Sequence, residues 1–230
     1  MQTAALVCEV STPRAPCAKK RALQYIGQVP ESDSLPLPVS APGRDPATML
    51  QAVVAQWGGQ SDLWIFAYAS LIWRPDFVVS ESRPATLHGY HRALKMWSRV
   101  NRGTPAQPGL VFGLLPGGSC KGMAFCLPRS TVAAALPMLW EREMPNGVYD
   151  PKWLRCRTGQ GEVQALAFTL SRNSPNHTGE LSPEEYRRIF SSASGRYGTT
   201  QEYAQMTYDK LRTLGINDGK LGKLLTLVGC

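Results

Sequence analysis

The stretch WIFAYASLIWRPDF, residues 64 to 77, is an apolar run that ends in small and hydroxyl-bearing residues. Alternate positions place aromatic side chains on one face and small aliphatic side chains on the other, so neither face is polar. This pattern predicts a strand buried inside a sheet or a small barrel. Pro75 cannot extend a β-ladder, so the backbone N–H groups that follow Tyr68 are free to point at something other than a neighbouring strand.

The composition bounds the class of protein. A chain of 230 residues with 43% hydrophobic residues can bury one sizeable core. Its six cysteines contain no C-x-x-C pair, and with three histidines they complete no recognisable zinc-site spacing. No apolar stretch approaches the roughly 20 residues of a membrane span. We therefore expect a cytoplasmic protein in a reducing compartment, with no metal site and no membrane span.

The formal charge of +8 suggests a nucleic-acid partner, so its distribution matters. Residues 1 to 60 carry five Lys/Arg and four Asp/Glu, a balance of +1, which leaves +7 for the remainder. There the arginines are dispersed, without a basic run or a row of aromatic residues that could stack on bases. This distribution argues against nucleic-acid binding and fits the attraction of a small anionic substrate. It leaves the oligomeric state open.

The composition of the chain changes near residue 47. The proline-rich residues 29 to 46 indicate an irregular linker, and Asp45 followed by Pro46 predicts a short helix that closes at Gly58. The first 30 residues show no clear periodicity, so a leader, a disordered arm and a transit peptide all remain open interpretations. We predict an N-terminal extension over residues 1 to 60 and one catalytic domain over residues 61 to 230.

Signals for strands and helices are stronger after residue 64. Strand-like runs occur at TLHGYHRALKMW, GLVFGLL and CKGMAFCL, and the runs KWLRCR and EVQALAFTL are joined by TGQG, which predicts a hairpin. Helices are predicted to begin near Ser130, at the capping box of Ser182 with Glu185, and at Thr199 with Glu202 three residues later. These signals predict an α+β fold with a β-rich core.

Glu143 has an unusual position in the helix predicted to begin near Ser130. In STVAAALPMLWEREM the apolar residues recur with helical spacing, and Glu143 is the next member of their stripe. Its neighbours Glu141 and Arg142 are predicted to point toward solvent. Burial raises a carboxyl pKa unless a cation is close, and such a carboxylate can act as a general base near neutral pH. Periodicity alone leaves open a second interpretation, in which Glu143 lies at the helix end and reaches solvent.

Six blocks of the sequence together resemble the ChaC family of glutathione-specific γ-glutamylcyclotransferases. Across roughly residues 62 to 227 they are, in order, WIFAYASLIWRPDF, GYHRALKMWS, RGTPAQPGLVFGLLPGG, GMAFCLP, LWEREMPNGVYDPKWL and SASGRYGTTQEYAQMTYDKLRTLGI. Two blocks are specific to the family. Its tyrosine-glycine-serine-leucine strand end is met here by residues 68 to 71, and its arginine-glutamate pair at the end of a long helix is met by Arg142 and Glu143.

The resemblance implies a fold, a reaction and a set of site residues. The family fold is a small mixed β-barrel with flanking helices. In the family reaction the substrate's α-amine attacks its own γ-carbonyl, which gives 5-oxoproline and, from glutathione, releases cysteinylglycine without a cofactor. The resemblance makes Glu143 the catalytic base. It assigns substrate binding to the strand-end loop and to one tyrosine of the C-terminal block, namely to Tyr68, Ala69, Ser70, Leu71, Ile72, Trp73 and Tyr203.

The chain departs from the family pattern at Ala69, where family members usually have glycine. If φ is positive there, a Cβ costs on the order of 1 to 2 kcal/mol and weakens activity. Two alternatives to a glutathione enzyme therefore stay open: a cyclotransferase for other γ-glutamyl compounds and a non-catalytic module that binds a γ-glutamyl ligand.

Tyr203 has two interpretations as well, a wall of the pocket or a core tyrosine with a satisfied hydroxyl.

Overall fold

Period-two runs of the sequence become the strands of a closed barrel in the computed structural model, which describes residues 44 to 229. The five barrel strands are β1 (Leu63–Ala67), β2 (Glu81–Ser98), β3 (Gly109–Leu127), β4 (Asp150–Thr158) and β5 (Gly161–Thr169). Their order around the barrel is β1-β3-β2-β4-β5. β5 closes the barrel by pairing parallel to β1, whereas the other neighbouring strands pair antiparallel. The predicted class, α+β with a small mixed barrel and flanking helices, is confirmed.

The long strand β3 differs from the sequence-based prediction. GLVFGLL and CKGMAFCL were expected to be separate strands with a turn between them, but both belong to β3. β2 pairs with nearly the whole of β3, and the register shifts between His88 and Tyr90. Gly117 and Gly118 have positive φ values of 100° and 75° at this shift, so the Gly-rich segment bends the strand without ending it.

Helices flank the barrel, and most of their boundaries follow from local signals. The capping boxes predicted at Ser182 and Thr199 both form, with reciprocal bonds to Glu185 and Glu202. Within the described residues, no helix is long and apolar enough to cross a membrane. The remaining elements are α1 (Pro46–Trp57), α2 (Ser70–Trp73), α3 (Arg129–Glu143), α4 (Pro183–Ser192), α5 (Thr200–Thr213), α6 (Gly219–Val228) and a small hairpin of β6 (Ser194–Gly195) and β7 (Gly198–Thr199).

Helix α1 has the predicted ends and contacts the residues around β4. Asp45 accepts hydrogen bonds from the backbone of Ala47 and Thr48, and Gly58 ends the helix with φ 74°. The Trp140 indole donates to the Pro46 carbonyl at 2.7 Å, and the residue before the helix cap, Arg44, forms an ion pair with Asp150, also at 2.7 Å. Helix α1 is therefore anchored to α3 and β4. The predictions made for residues 1 to 43 lie outside the described residues.

Candidate active site

The strand β1 is followed by a tight turn in which some backbone amides have no hydrogen-bond partner among the described residues. Tyr68 follows the strand and is buried, and its hydroxyl donates to the Phe168 carbonyl at 3.0 Å. Ala69 has φ −142° and ψ −121°, so the left-handed conformation considered for this position does not occur. The Ser70 and Leu71 amides have no hydrogen-bond partner within residues 44 to 229. The Ala69 amide has no partner there either, so N–H groups of this turn can bind a ligand.

Other members of the predicted binding segment are already engaged. The Ile72 amide donates to the Ala69 carbonyl at 2.9 Å, and the side chains of Leu71 and Ile72 belong to the hydrophobic core. The Trp73 indole donates to the Thr207 hydroxyl at 3.2 Å, which joins the short helix α2 to α5. This part of the segment therefore holds the turn in place.

Arg92 on β2 supports the strand end from beneath, a role that the sequence did not reveal. Its guanidinium donates to the Tyr68 carbonyl at 2.6 Å and to the Asp218 carboxylate at 2.6 Å, and its side chain is only 3% exposed. Asp218 also accepts a hydrogen bond from the Leu221 amide and so caps α6. Arg92 thus links the strand end to a helix 126 residues away in sequence, and no local pattern marks such a partner.

Glu143 is the last residue of α3 and lies on its buried face, as the periodicity predicts. The apolar members of the stripe are buried, and the Glu143 side chain is 15% exposed. Burial raises the pKa of the Glu143 carboxyl above its ordinary value, and the nearby Arg142 cation offsets part of this effect. Arg142 Nε lies 3.1 Å from one carboxylate oxygen. The other oxygen has no hydrogen-bond partner in the described part of the chain, so it can accept a proton from a ligand.

Arg142 does not point toward solvent, and this prediction was wrong. Its guanidinium donates to the Ser70 hydroxyl at 3.1 Å, to the Arg74 carbonyl at 2.6 Å and to the Asp76 carboxylate at 2.7 Å. The helical position of its Cα faces outward, but the long side chain folds back over the helix end. Arg142 therefore connects the end of α3, which carries Glu143, to the turn after β1.

Three tyrosines surround Glu143. Burial raises the pKa of Tyr68, Tyr149 and Tyr203, and the negative charge of Glu143 raises the pKa of each of them further. Their hydroxyls therefore stay protonated. Those of Tyr68 and Tyr149 donate to the Phe168 and Phe112 carbonyls, so within the described residues the Tyr203 hydroxyl is the one whose proton is still available to a ligand. Tyr149 comes from the loop between α3 and β4 and was not identified from the sequence, although it lies within a block that carries the family resemblance.

Tyr203 has the burial and the hydrogen bond of a core tyrosine. It is buried, and its hydroxyl accepts a long hydrogen bond of 3.5 Å from the Phe112 amide. Its ring packs edge-on against Trp73 with the ring centroids 6.3 Å apart. Tyr203 is therefore a core residue, and its role as a wall of the site stays a prediction.

A family model described as ChaC-like protein matches residues 63 to 230. The chain belongs to the ChaC-like family. This ChaC-like chain is 34% identical over 183 residues to the glutathione-specific γ-glutamylcyclotransferase of Escherichia coli K12, with 79% of each chain covered. It is 30% identical to the human glutathione-specific γ-glutamylcyclotransferase 1, with 83% of this chain and 90% of the human protein covered.

Solved structures show the same fold. The selenomethionine-labelled crystal structure of the yeast γ-glutamyl cyclotransferase specific to glutathione superposes with a TM-score of 0.66 at 20% sequence identity. The superposition covers 74% of the ChaC-like chain and 96% of the yeast chain. At this level of identity the likeness concerns the barrel and its flanking helices.

A cavity of about 700 Å³ in the ChaC-like chain lies at the opposite end of β1. Its lining includes three tryptophans, Trp57, Trp64 and Trp153, and it shares no residue with the site around Glu143. Cavity size therefore does not locate this site. The site is marked instead by a largely buried carboxylate, three buried phenols and free backbone amides in the turn after β1.

Proposed function

We propose that this ChaC-like protein is a γ-glutamylcyclotransferase that converts glutathione to 5-oxoproline and cysteinylglycine. The observation that carries the proposal is the placement of Glu143, a buried carboxylate held beside the turn after β1 by the Arg142 side chain. A carboxylate on a buried helix face is costly unless it is used or paired. The names of the relatives in Escherichia coli and human, both glutathione-specific γ-glutamylcyclotransferases, support the choice of substrate.

The chemistry explains why few catalytic groups are needed. The nucleophile, the α-amine, and the electrophile, the γ-carbonyl carbon, belong to the same substrate molecule. Holding them in an attack conformation can supply about 7 to 11 kcal/mol of the barrier reduction. The protein has to provide a shape that folds the γ-glutamyl chain, a base for the amine and donors for the carbonyl oxygen.

Glu143 is the base in this proposal. Its carboxylate takes a proton from the α-ammonium, and the amine nitrogen then forms a bond to the γ-carbonyl carbon. The amide bond between that carbon and the cysteine nitrogen breaks as Glu143 returns its proton to the leaving nitrogen, and the new ring nitrogen gives up its second proton to the released amine, so the products are neutral lactam and cysteinylglycine with a protonated amino group. Because burial raises the pKa of the Glu143 carboxyl, this pKa lies closer to neutral pH than that of an exposed glutamate.

The turn after β1 supplies the binding groups. The free Ser70 and Leu71 amides can donate to the carbonyl oxygen as negative charge develops on it. The protonated hydroxyls of Tyr68, Tyr149 and Tyr203 and the ring of Trp73 complete the walls of the site. Ala69 contributes backbone, and its negative φ removes the reason to expect weakened activity.

The proposal is tested by incubating the purified protein with glutathione and measuring 5-oxoproline and cysteinylglycine by mass spectrometry. We expect both products in equal amounts. A parallel incubation with γ-glutamyl dipeptides that lack the cysteinylglycine unit separates glutathione from other γ-glutamyl compounds as substrates. Binding of glutathione without any 5-oxoproline would overturn the enzyme and favour a binding module.

The same assay with EDTA tests whether a metal takes part. Among the described residues, no group of three His, Cys, Asp or Glu side chains is arranged to hold a metal ion. We expect turnover to be unchanged by the chelator. A loss of activity that added metal restores would contradict a reaction without a cofactor.

The proposal also includes the cytoplasmic location expected from the cysteine pattern.

A further inference from the structure

Arg102 is a buried arginine in the loop between β2 and β3. The residue is 8% exposed, and its guanidinium lies 5.0 Å from the centre of the Tyr203 ring. It donates one hydrogen bond to the Tyr197 carbonyl. The loop itself is fixed, since the Arg196 and Tyr197 amides donate to the Val100 and Asn101 carbonyls at 2.8 and 3.0 Å.

The charge of Arg102 is not matched by an acid. Within residues 44 to 229 no carboxylate lies within 4 Å of its guanidinium, whereas the buried Arg92 pairs with Asp218 at 2.6 Å. The acid whose charge reaches Arg102 is Glu202, but that carboxylate accepts a hydrogen bond from the Thr199 amide in the capping box. A buried cation with no ion-pair partner in the described residues is costly, and a second cation, Arg74, is close enough to add to this cost. Such a group is suited to bind an anion.

Arg102 is not the cation that pairs with the base. The guanidinium next to Glu143 is that of Arg142, at 3.1 Å. Arg102 instead contacts the backbone of Tyr197, a residue that is 53% exposed and whose ring lies 5.9 Å from the Arg74 guanidinium. The unmatched cation thus contacts a wall residue of the proposed site, Tyr203, and an exposed loop residue, Tyr197, and does not pair with Glu143.

This position selects one of the two carboxylates of glutathione. The α-carboxylate is attached to the same carbon atom as the reacting amine, so it must lie close to Glu143. The second carboxylate, at the glycine end, lies farthest from that amine. We propose that Arg102 binds the C-terminal carboxylate of the γ-glutamyl peptide and thereby selects substrates that end in a free acid. This inference rests on the function proposed above.

The experiment compares glutathione with its C-terminal glycinamide as substrates of the full chain. For the parent protein we expect a KM for the amide about 10- to 100-fold higher than for the acid, the effect of losing a charge-assisted hydrogen bond. Arg102→Gln should raise the KM for glutathione by the same factor and leave the KM for the amide unchanged. In both cases kcat should stay nearly constant, because the contact is far from the reacting atoms.

Two further variants make the result specific. Arg99→Gln is the matched control, because Arg99 lies in the same loop and its guanidinium donates to Asn176 at 3.0 Å; it should leave the preference for the acid intact. Arg102→Lys should restore part of that preference. The proposal would be overturned if the parent had equal KM values for the acid and the amide, a result that does not depend on whether Arg102→Gln folds. It would also be overturned if Arg102→Gln raised the KM for the acid and the amide by the same factor. Absence of any 5-oxoproline from the parent would instead overturn the proposed function.

Discussion

Glu141 and Glu143 are two residues apart on α3, yet they have different environments. Glu141 is exposed, and Glu143 is buried beside the turn after β1. The period of the helix decides this difference, so the sequence alone could predict it. It could not predict the direction of Arg142, because a long side chain can return to a site that its Cα faces away from.

Replacing each of the two glutamates by glutamine tests which of them is the catalytic base. Glu143→Gln keeps the shape of the side chain and removes the basic oxygen, so kcat should fall by about 10²- to 10⁴-fold. Glu141→Gln should leave kcat within about twofold, since the exposed side chain touches no reacting atom. Steady-state production of 5-oxoproline measures both. Equal turnover by the two variants would show that Glu143 is not the base.

The raised pKa of Glu143 also gives a pH dependence of stability. The folded protein holds this proton at pH values at which the unfolded chain, with a pKa near 4.5, has lost it. The stability of the parent should therefore fall as pH rises from 4.5 through the folded pKa. In thermal melts Glu143→Gln should match the parent at acidic pH and have the higher Tm at neutral pH. A lower Tm of the variant at neutral pH would mean that the ionised form stabilises the fold.

Ala69→Gly tests whether the departure from the family pattern affects turnover. Because φ is already negative at Ala69, glycine gains no conformation that the site requires. We expect kcat/KM to stay within about twofold or to rise slightly. Stability should decrease by about 0.4 to 1 kcal/mol, since glycine has more freedom in the unfolded chain. A tenfold loss of kcat/KM would show that the methyl group itself contributes to the site.

At the scale of elements, the site depends on β2 as much as on β1 and the turn that follows it. Arg92 on β2 fixes the carbonyl of Tyr68 and the cap of α6. Strand and helix boundaries were largely predictable because capping boxes and period-two runs are local. The unbroken course of β3 and the existence of α6 were not, because Gly117, Gly118, Gly219 and Gly222 disfavour regular structure and tertiary contacts override them.

Arg92→Leu should therefore destabilise the whole fold. The substitution leaves the Asp218 carboxylate without its cation and the Tyr68 carbonyl without its donor, and breaking a buried pair in this way costs about 3 to 5 kcal/mol. Arg155→Leu is the control, because Arg155 is an exposed barrel residue, and surface changes usually stay within about 0.5 kcal/mol. Urea titrations compare the two. A loss below 1 kcal/mol for Arg92→Leu would show that other contacts hold the strand end.

For the whole molecule, the predicted boundary between residues 60 and 61 can be tested by truncation. Removing residues 1 to 43 should preserve melting and turnover, since the sequence of that segment shows no core-like periodicity. Removing residues 1 to 58 should lower the Tm clearly, because it also deletes the buried Val53, the Pro46 carbonyl that accepts from Trp140, and the Arg44–Asp150 ion pair. Equal melting of both truncated proteins would place the boundary at residue 60 after all.

The parallel pairing of β1 with β5 has a consequence for synthesis. Tyr68 meets Phe168 100 residues later, and Trp73 meets Thr207 134 residues later. A chain emerging from the ribosome therefore displays its strand-end turn long before the partners that shape it exist. Contacts of such long sequence separation form slowly. A nascent or stalled chain that stops before residue 200 carries Glu143 but lacks the Thr207 hydroxyl that accepts from Trp73, so the turn after β1 gains its full set of contacts only after α5 has been made.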